Sequence, residues 1–249
     1  MEPTIVFEDD QLLVIDKPSG MTVNRADTTR GEQTLQDFVV GYLQLAEPEI
    51  MTTPDGYRNA FLERSGIVHR LDKETSGLIL VAKTENAFLA LQKQFKERTV
   101  QKRYIALVHG EVKPDSGEID VPIGRQEWNR MRFGVVAGGK EAQTRYKTIS
   151  NFKFQMSNEI LTLLELEPKT GRTHQLRVHM KYLGYPLFAD FLYAGRKTQR
   201  NDRKYLSRVF LHAAKITFSH PSSKETINFE SALPNELQEF LDKHSVVVN

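Results

Sequence analysis

Residues 67–84 read IVHRLDKETSGLILVAKT, a stretch that joins a polar cluster to an apolar run. A basic pair, His69 and Arg70, comes just before the carboxylate of Asp72, and a Thr-Ser-Gly turn follows. The apolar run at 78–82 is rich in strand formers and too short for an independent helix, so it predicts a buried strand. We therefore expect Asp72 on a polar loop beside that strand, where a rigid scaffold can position a reactive side chain.

The composition is typical of a globular protein, with 249 residues of which 39% are hydrophobic and 27% charged. This is enough apolar material for the core of one large domain or two small ones. No apolar run approaches the roughly 20 residues of a membrane span, and the start MEPTIVFEDDQ lacks the layout of a signal peptide. The absence of cysteine excludes disulfides and thiolate metal sites, so a cytoplasmic location without membrane association is expected.

Positive charge is concentrated in one segment, although the whole chain has a formal net charge of only +2. Residues 196–208 hold six Lys or Arg and one Asp. Basic side chains among polar and aromatic ones suit a phosphate-rich ligand. A solvated loop explains the same composition, and residues 195–203, like residues 47–57, are expected to be among the least ordered.

Short strand-like runs dominate the chain, and from residue 104 to 166 they follow each other without helices between them. Such an order implies antiparallel pairing and the α+β class. Strands are predicted at 5–7, 12–15, 78–82, 104–109, 118–123, 131–136, 142–149, 160–166, 210–218 and 226–229. Helices are predicted at 34–45, 86–98, 173–183 and 234–244 from apolar spacing and end signals.

A second motif, KTGRTHQLRVHM at 169–180, predicts a turn that leads into a helix. Unpaired backbone N–H groups at the helix start, with Arg172 beside them, would favour a phosphate or carboxylate. On the helix, Arg177 shares a face with His174, whereas Leu176 lies on the opposite, buried face. Arg177 is thus placed to pair with a carboxylate, although an ordinary surface helix explains the same pattern.

Other reaction classes fit the sequence less well. The histidines His69, His174, His179 and His212 suggest a metal hydrolase, but their spacing matches no known metal site. Cysteine is absent, Ser76 is outside a hydrolase nucleophile elbow, and no dinucleotide or P-loop motif occurs. With these classes set aside, the remaining candidate for catalysis is a single carboxylate beside arginines. Glycosidases usually use two carboxylates, so a lone one suits a glycosidic bond only if water is not the acceptor.

Four motifs together resemble those of the RluA-type RNA pseudouridine synthase family. They are LVIDKPSG at 13–20, HRLDKETSGL at 69–78, KRYIALV at 102–108 and GRTHQLRVH at 171–179. The motifs occur in the family's order, and the resemblance covers nearly the whole chain. It implies the pseudouridine synthase fold, a mixed, mostly antiparallel β-sheet bent around a central catalytic cleft with flanking helices.

The resemblance also implies a reaction, the isomerisation of uridine to pseudouridine within folded RNA, with no cofactor and no metal. Asp72 would be the catalytic carboxylate, and it would either attack the anomeric carbon of the ribose or remove the neighbouring 2′ proton. Tyr104 would stack on the target base and help to remove the proton from its carbon 5. Arg177 would pair with Asp72 and keep it ionised, because a nearby cation stabilises the charged form.

Further residues are implied to bind the RNA substrate. Arg70 would help to fill the gap left when the uridine is flipped out of its stack. Leu176 would pack near the base, and His69 would lie among the substrate-binding residues. Lys17 and Arg172 are candidates for phosphate binding or for support of the site.

The sequence departs from many relatives in two places, the first of which bears on the target. The Lys-Pro-Ser-Gly motif begins at Lys17, so we expect residues 1–249 to form a single catalytic domain without a separate amino-terminal RNA-binding domain. Target choice would then depend on residues 47–62, 124–139 and 193–208. The second departure is Ala189, where relatives often have glycine before the Asp.

Ribosomal RNA is the first expectation for the substrate and transfer RNA the second, with the protein acting as a monomer. The main alternative is a non-catalytic RNA-binding or RNA-folding protein on the same scaffold. The joint presence of Asp72, Tyr104 and Arg177 argues against it, since binding alone needs no carboxylate close to phosphates.

Overall fold

The computed structural model describes residues 2–26, 29, 31–45, 60–127, 129–157 and 159–248. The chain divides into two compact units. The first comprises Met1–Val100 and Ile216–Ser231, and the second comprises Gln101–Lys215 and Ala232–Asn249. The expectation of one catalytic domain over the whole length stays a prediction.

The first unit is built on antiparallel strands with helices beside them. Its elements are β1 (Thr4–Glu8), β2 (Leu12–Lys17), α1 (Leu35–Tyr42), α2 (Ala60–Glu63), β3 (Ser76–Ala82) and α3 (Glu85–Lys96). β2 lies between β1 and β3. Every residue of β3 is buried, which is why its sequence is an almost continuous apolar run and not an alternating one.

The second unit holds most of the remaining strands. Its elements up to Lys215, where the chain passes back into the first unit, are β4 (Gln101–His109), β5 (Ser116–Asp120), β6 (Ile123–Gln126), β7 (Asn129–Val135), β8 (Gln143–Phe154), β9 (Ile160–Pro168), α4 (Gln175–Tyr182) and α5 (Arg196–Asp202). Strand β10 (Leu211–Ser219) is divided between the units at Lys215, and β11 (Thr226–Glu230) pairs with it. The chain then returns to the second unit in α6 (Asn235–His244) and β12 (Ser245–Val248). The strand order there is β4-β9-β8-β12, with β5 also on β8 and β6 paired with β7.

Local sequence signals account for the helices that were predicted. In α3, the Thr84 side chain accepts a hydrogen bond from the Ala87 N–H at 3.2 Å, which caps the helix. Phe88 and Leu91 bury one face of α3 in a core that also contains Leu80 of β3. The expected α+β class, with mixed and mostly antiparallel strand pairing, is confirmed.

Several sequence predictions need correction. The strand predicted at 118–123 is two strands, β5 and β6, because Pro122 between them lacks the N–H that a ladder needs. Residues 196–202, expected to be poorly ordered, form α5, and β12 was not foreseen. The other segment expected to be poorly ordered, residues 47–57, lies outside the described residues. Across the parts of the chain that the structure describes, no helix is long and apolar enough to cross a membrane.

Candidate active site

In the first unit, the segment before Asp72 is fixed against β3. The Val68 N–H donates to the Leu80 carbonyl at 3.3 Å, and the Leu80 N–H donates to Nε2 of His69 at 3.0 Å. Because Nε2 accepts a hydrogen bond, a neutral His69 ring carries its proton on Nδ1. The ring also packs against Phe95, with centroids 4.9 Å apart. His69 therefore supports the loop, and its expected role in substrate binding stays a prediction.

The segment after Asp72 is held from the other side by the Lys-Pro-Ser-Gly motif. Lys17 is fully buried, and its ammonium donates to the carbonyl oxygens of Pro18 and Met21, both at 2.8 Å. It also donates to the carbonyl of Lys73 at 3.2 Å, to which the Gly20 N–H donates at 2.8 Å. Lys17 thus ties its own turn to the residue that follows Asp72. Its expected contact with phosphate stays a prediction.

Asp72 itself is half-buried, whereas Arg70 is exposed. The Asp72 carbonyl accepts a hydrogen bond from the Thr75 N–H at 3.1 Å, which closes the turn that leads into β3. A carboxylate between two anchored segments is limited in the directions it can face. This placement agrees with the polar loop beside a buried strand that the sequence predicts.

In the second unit, Tyr104 lies on β4 opposite Leu166 of β9, and its side chain is largely buried. Leu176 and Arg177 are adjacent on α4 and are both buried. The expectation that α4 has one buried and one polar face is wrong, because every residue from Gln175 to Met180 is buried. The polar ones among them are satisfied by hydrogen bonds inside the protein.

The start of α4 also differs from the expected anion site. Its N-cap is His174, with a left-handed φ of 57°, and not Thr173. The backbone N–H of Arg172 was expected to be unpaired and to bind an anion. It donates instead to Oε1 of Gln175 at 2.9 Å. The Arg172 guanidinium donates through Nε to the carbonyl of Glu141 at 2.8 Å. Arg172 therefore supports the turn, and its expected phosphate contact stays a prediction.

Arg177 is held by a carboxylate that sequence reasoning did not identify. Its Nε donates to Oδ2 of Asp190 at 2.6 Å and its Nη2 to Oδ1 at 2.8 Å, in a bidentate pair. Asp190 is 0% exposed and Arg177 5% exposed. Oδ1 of Asp190 also accepts from the N–H groups of Leu192 and Tyr193 at 2.9 and 3.1 Å. Such a planar fork on a fully bonded carboxylate fixes the guanidinium in position.

A pairing of Arg177 with Asp72 stays a prediction, because the two residues belong to different units. The signal that could have identified Asp190 was its place in the 188–190 segment. There Ala189 occupies the position of a frequent glycine, and its φ is 59°. Glycine favours that left-handed region. A position where glycine is frequent therefore indicates a tight turn, and this turn places the next residue, Asp190.

Two cationic groups of the second unit, half-buried Lys102 and buried His109, have shifted pKa values. Burial, with a smaller effect from the charge of Lys169, lowers the pKa of Lys102 to about 8. Burial also opposes charge on His109, but hydrogen bonds with Asp202 and Glu159 outweigh it and raise its pKa to about 9. Nε2 of His109 lies 2.9 Å from Asp202 and Nδ1 lies 3.0 Å from Glu159.

The histidines of the second motif have partners inside the protein. Nδ1 of His179 lies 2.9 Å from the Thr144 hydroxyl and Nε2 lies 3.2 Å from the Val121 carbonyl. Burial lowers the pKa of His179. Nδ1 of His174 lies 2.9 Å from the Tyr193 hydroxyl. Within the described ranges, no group of three or more His, Cys, Asp or Glu side chains is arranged to hold a metal ion.

The family model for RNA pseudouridylate synthases matches residues 11–182. The chain belongs to this family. RNA pseudouridine synthases are isomerases. The matched range contains all the site residues predicted from the sequence, namely Lys17, His69, Arg70, Asp72, Tyr104, Arg172, Leu176 and Arg177.

Curated bacterial members of the family match almost the whole chain. It is 38% identical over 242 residues to the uncharacterized RNA pseudouridine synthase YlyB of Bacillus subtilis, covering 97% of this chain and 73% of that one. It is 38% identical to the ribosomal large subunit pseudouridine synthase D of Nitrosomonas europaea and 37% identical to the synthase C of Vibrio vulnificus. Those matches cover 95% and 96% of this chain, and 64% and 68% of the relatives.

Two solved structures of human family members share the fold. Human RNA pseudouridylate synthase domain containing 1 has a TM-score of 0.71 at 26% identity, covering 96% of this chain and 87% of that one. Human RNA pseudouridylate synthase domain containing 4 has a TM-score of 0.70 at 25% identity, covering 96% and 91%. Both matches extend beyond residue 182 of this chain, where the match to the family model ends. The similarity of fold therefore includes residues that follow α4.

Proposed function

We propose that this synthase converts specific uridines in structured RNA to pseudouridine, with Asp72 as the catalytic carboxylate and without a cofactor. The observation that carries the proposal is the position of Asp72. It is a half-buried carboxylate on a loop anchored before it by His69 and after it by Lys17. A nucleophile or base must be held in a fixed direction to act on one bond of a bound substrate.

The proposed reaction needs no second acid and no water. Asp72 either attacks C1′ of the ribose or removes its 2′ proton, and in both routes the N1–C1′ bond breaks. The uracil turns within the pocket, and a bond forms between its C5 and C1′. The proton on C5 then leaves, N1 takes up a proton that it did not carry in uridine, and in the second route the 2′ proton is returned to the ribose. Because the base is never lost from the enzyme, the lone carboxylate is released unchanged after each turnover.

Arg177 and Tyr104 are the proposed partners of Asp72. Asp190 holds Nε and Nη2 of Arg177, and the guanidinium positioned in this way is the group that we assign to Asp72. A guanidinium fixed in this way would orient the carboxylate without moving during the reaction. Tyr104 would lie against the uracil ring and assist removal of the C5 proton. It is held on a central strand, which gives it little freedom to move.

The RNA would be bound with its target uridine turned out of the stack, because C1′ and C5 of a stacked nucleotide are out of reach of a carboxylate. Exposed Arg70, two residues before Asp72, is the side chain that we assign to the vacated position in the RNA. Ribosomal RNA is the first proposed substrate, supported by the names of the relatives from Nitrosomonas and Vibrio. Transfer RNA is the second.

The test is a map of pseudouridines in RNA from cells with and without this protein. We expect at least one site to disappear in the deletion and to return with the wild-type gene but not with Asp72→Asn. The exposed Asp10→Asn, in the same unit, is the matched control and should restore the site. An unchanged map in ribosomal and transfer RNA would contradict the proposal.

A further inference from the structure

The charges of residues 196–208 are sorted by the fold in a way that the sequence does not show. Asp202, the only carboxylate of this segment, is buried. Its Oδ2 lies 2.9 Å from Nε2 of His109 and accepts the Ala189 N–H at 3.0 Å. The carboxylate of the segment therefore binds groups inside the second unit and does not pair with the exposed cations of the segment.

Two of the cations also face inward. Arg203, at the end of α5, donates through Nε to the Ala189 carbonyl at 2.8 Å. Arg208 is buried, pairs with Glu236 at 2.9 Å and donates to the Leu211 carbonyl at 2.6 Å. These contacts anchor the end of α5 and the residues that follow it.

The outer face of α5 carries the remaining charge of the helix. Arg196, Lys197 and Arg200 are exposed, and helical spacing puts all three on the side away from buried Asp202. In the part of the chain that the structure describes, none of the three forms an ion pair. Three adjacent cations that form no ion pair with the described residues produce a local positive potential that attracts a polyanion.

An exposed aromatic ring lies beside Arg203, the residue that directly follows α5. Phe191 is 48% exposed, although large apolar side chains are usually covered. Its ring centroid is 5.6 Å from the Cζ of Arg203 and 5.8 Å from the Cζ of Arg177. The turn that presents Phe191 is fixed by Asp190, which holds Arg177. An exposed ring among guanidinium groups is the arrangement that binds unstacked bases in single-stranded nucleic acid.

We propose that Phe191 and the outer face of α5 bind the RNA strand next to the target uridine. One base of the strand stacks on Phe191, and its phosphates lie along Arg196, Lys197 and Arg200. That this strand is next to the target uridine rests on the proposed function, because the nearness of Phe191 to the site is its distance from Arg177, which the proposed function assigns to the site. The binding itself follows from the charges and the exposed ring alone.

Stacking is tested by affinity measurements on proteins that all carry Asp72→Asn, so that no turnover occurs. The probes are a short labelled single-stranded RNA of mixed sequence and a ribose-phosphate chain of equal length without bases. Phe191→Leu should weaken binding of the RNA about five- to tenfold and leave the chain without bases unaffected. Phe191→Tyr keeps the ring and should bind both probes as the parent does. Equal affinity of Phe191→Leu and the parent for the RNA would overturn the proposal.

The phosphate contacts are tested with the triple variant Arg196→Gln, Lys197→Gln, Arg200→Gln in the same background. The slope of log Kd against log salt concentration should fall by about 2 for both probes, since each lost contact with a single strand removes about 0.7. Lys113→Gln, Lys147→Gln, Lys153→Gln removes the same charge from exposed positions of the same unit and should keep the parent slope. The proposal fails if the two triple variants give equal slopes. Because these are binding measurements, their outcome is independent of whether the protein forms pseudouridine.

Discussion

At the scale of single residues, the bidentate pair of Arg177 with Asp190 is the feature with the largest consequences. Both side chains are almost fully buried, so each depends on the other to offset the loss of hydration. The pair links stability to the proposed chemistry, since the same guanidinium is assigned to Asp72.

Asp190→Asn should therefore reduce both stability and activity. The substitution leaves the Arg177 charge buried without its counter-charge, which costs about 3–5 kcal/mol of the free energy of unfolding. Urea unfolding and the single-turnover rate of pseudouridine formation measure the two effects. The exposed Asp115→Asn of the same unit is the control and should change neither. An Asp190→Asn variant that unfolds at the wild-type urea concentration would show that the pair is not needed.

Ala189, next to Asp190, has a φ of 59°, a region that costs a residue with a β-carbon about 1–2 kcal/mol. Ala189→Gly removes this strain but adds freedom to the unfolded chain, which offsets part of the gain. We expect the free energy of unfolding to rise by about 0.5–1 kcal/mol. Ala213→Gly, on strand β10, has no such strain to release and should lower it. Destabilisation by Ala189→Gly would contradict the strain argument.

At the scale of elements, helix α5 is attached to strand β4 through the contact of Asp202 with His109. The raised pKa of His109, about 9, gives this contact a pH dependence. The proton is held more tightly in the folded state than in the unfolded one, whose pKa is near the ordinary value of 6.5. The stabilisation is therefore complete below about pH 6.5 and is lost as the pH rises to about 9.

His109→Gln should remove this dependence. Between pH 6.5 and 9, the free energy of unfolding of the wild type should fall relative to that of the variant by roughly 2–3 kcal/mol. Urea unfolding at a series of pH values gives the difference directly. Parallel pH curves for the two proteins would mean that the contact does not hold a proton.

The elements also show what the sequence can and cannot predict. Helix α3 and strand β3 were predictable because their signals are local, a Thr84 cap with an apolar stripe and a continuous apolar run. Helix α5 was not, because its polar sequence is held by distant partners such as His109. Strand β12 likewise exists through its pairing with β8. The role of Asp190 could not be predicted for the same reason, since its partner Arg177 lies 13 residues away on another element.

At the scale of the whole molecule, the predicted site residues are shared between the two units. Lys17, His69, Arg70 and Asp72 belong to the first, and Tyr104, Arg172, Leu176 and Arg177 belong to the second. The motifs were sufficient to predict the family, which the comparisons confirm. They could not predict the target uridine, because we expect that choice to depend on surfaces outside the motifs. Of the expected target segments, residues 47–59 lie outside the described residues, whereas residues 193–208 contain the cationic face of α5.

The most direct test of the central claim is pseudouridine formation by purified protein on RNA from cells that lack it. Wild type and Asp10→Asn should form pseudouridine at the same rate. Asp72→Asn should form none above the level without enzyme, while its Kd for the RNA stays within about threefold of the wild-type value, a difference below 1 kcal/mol. Pseudouridine formation by Asp72→Asn at the wild-type rate would contradict the assignment of Asp72 as the catalytic carboxylate.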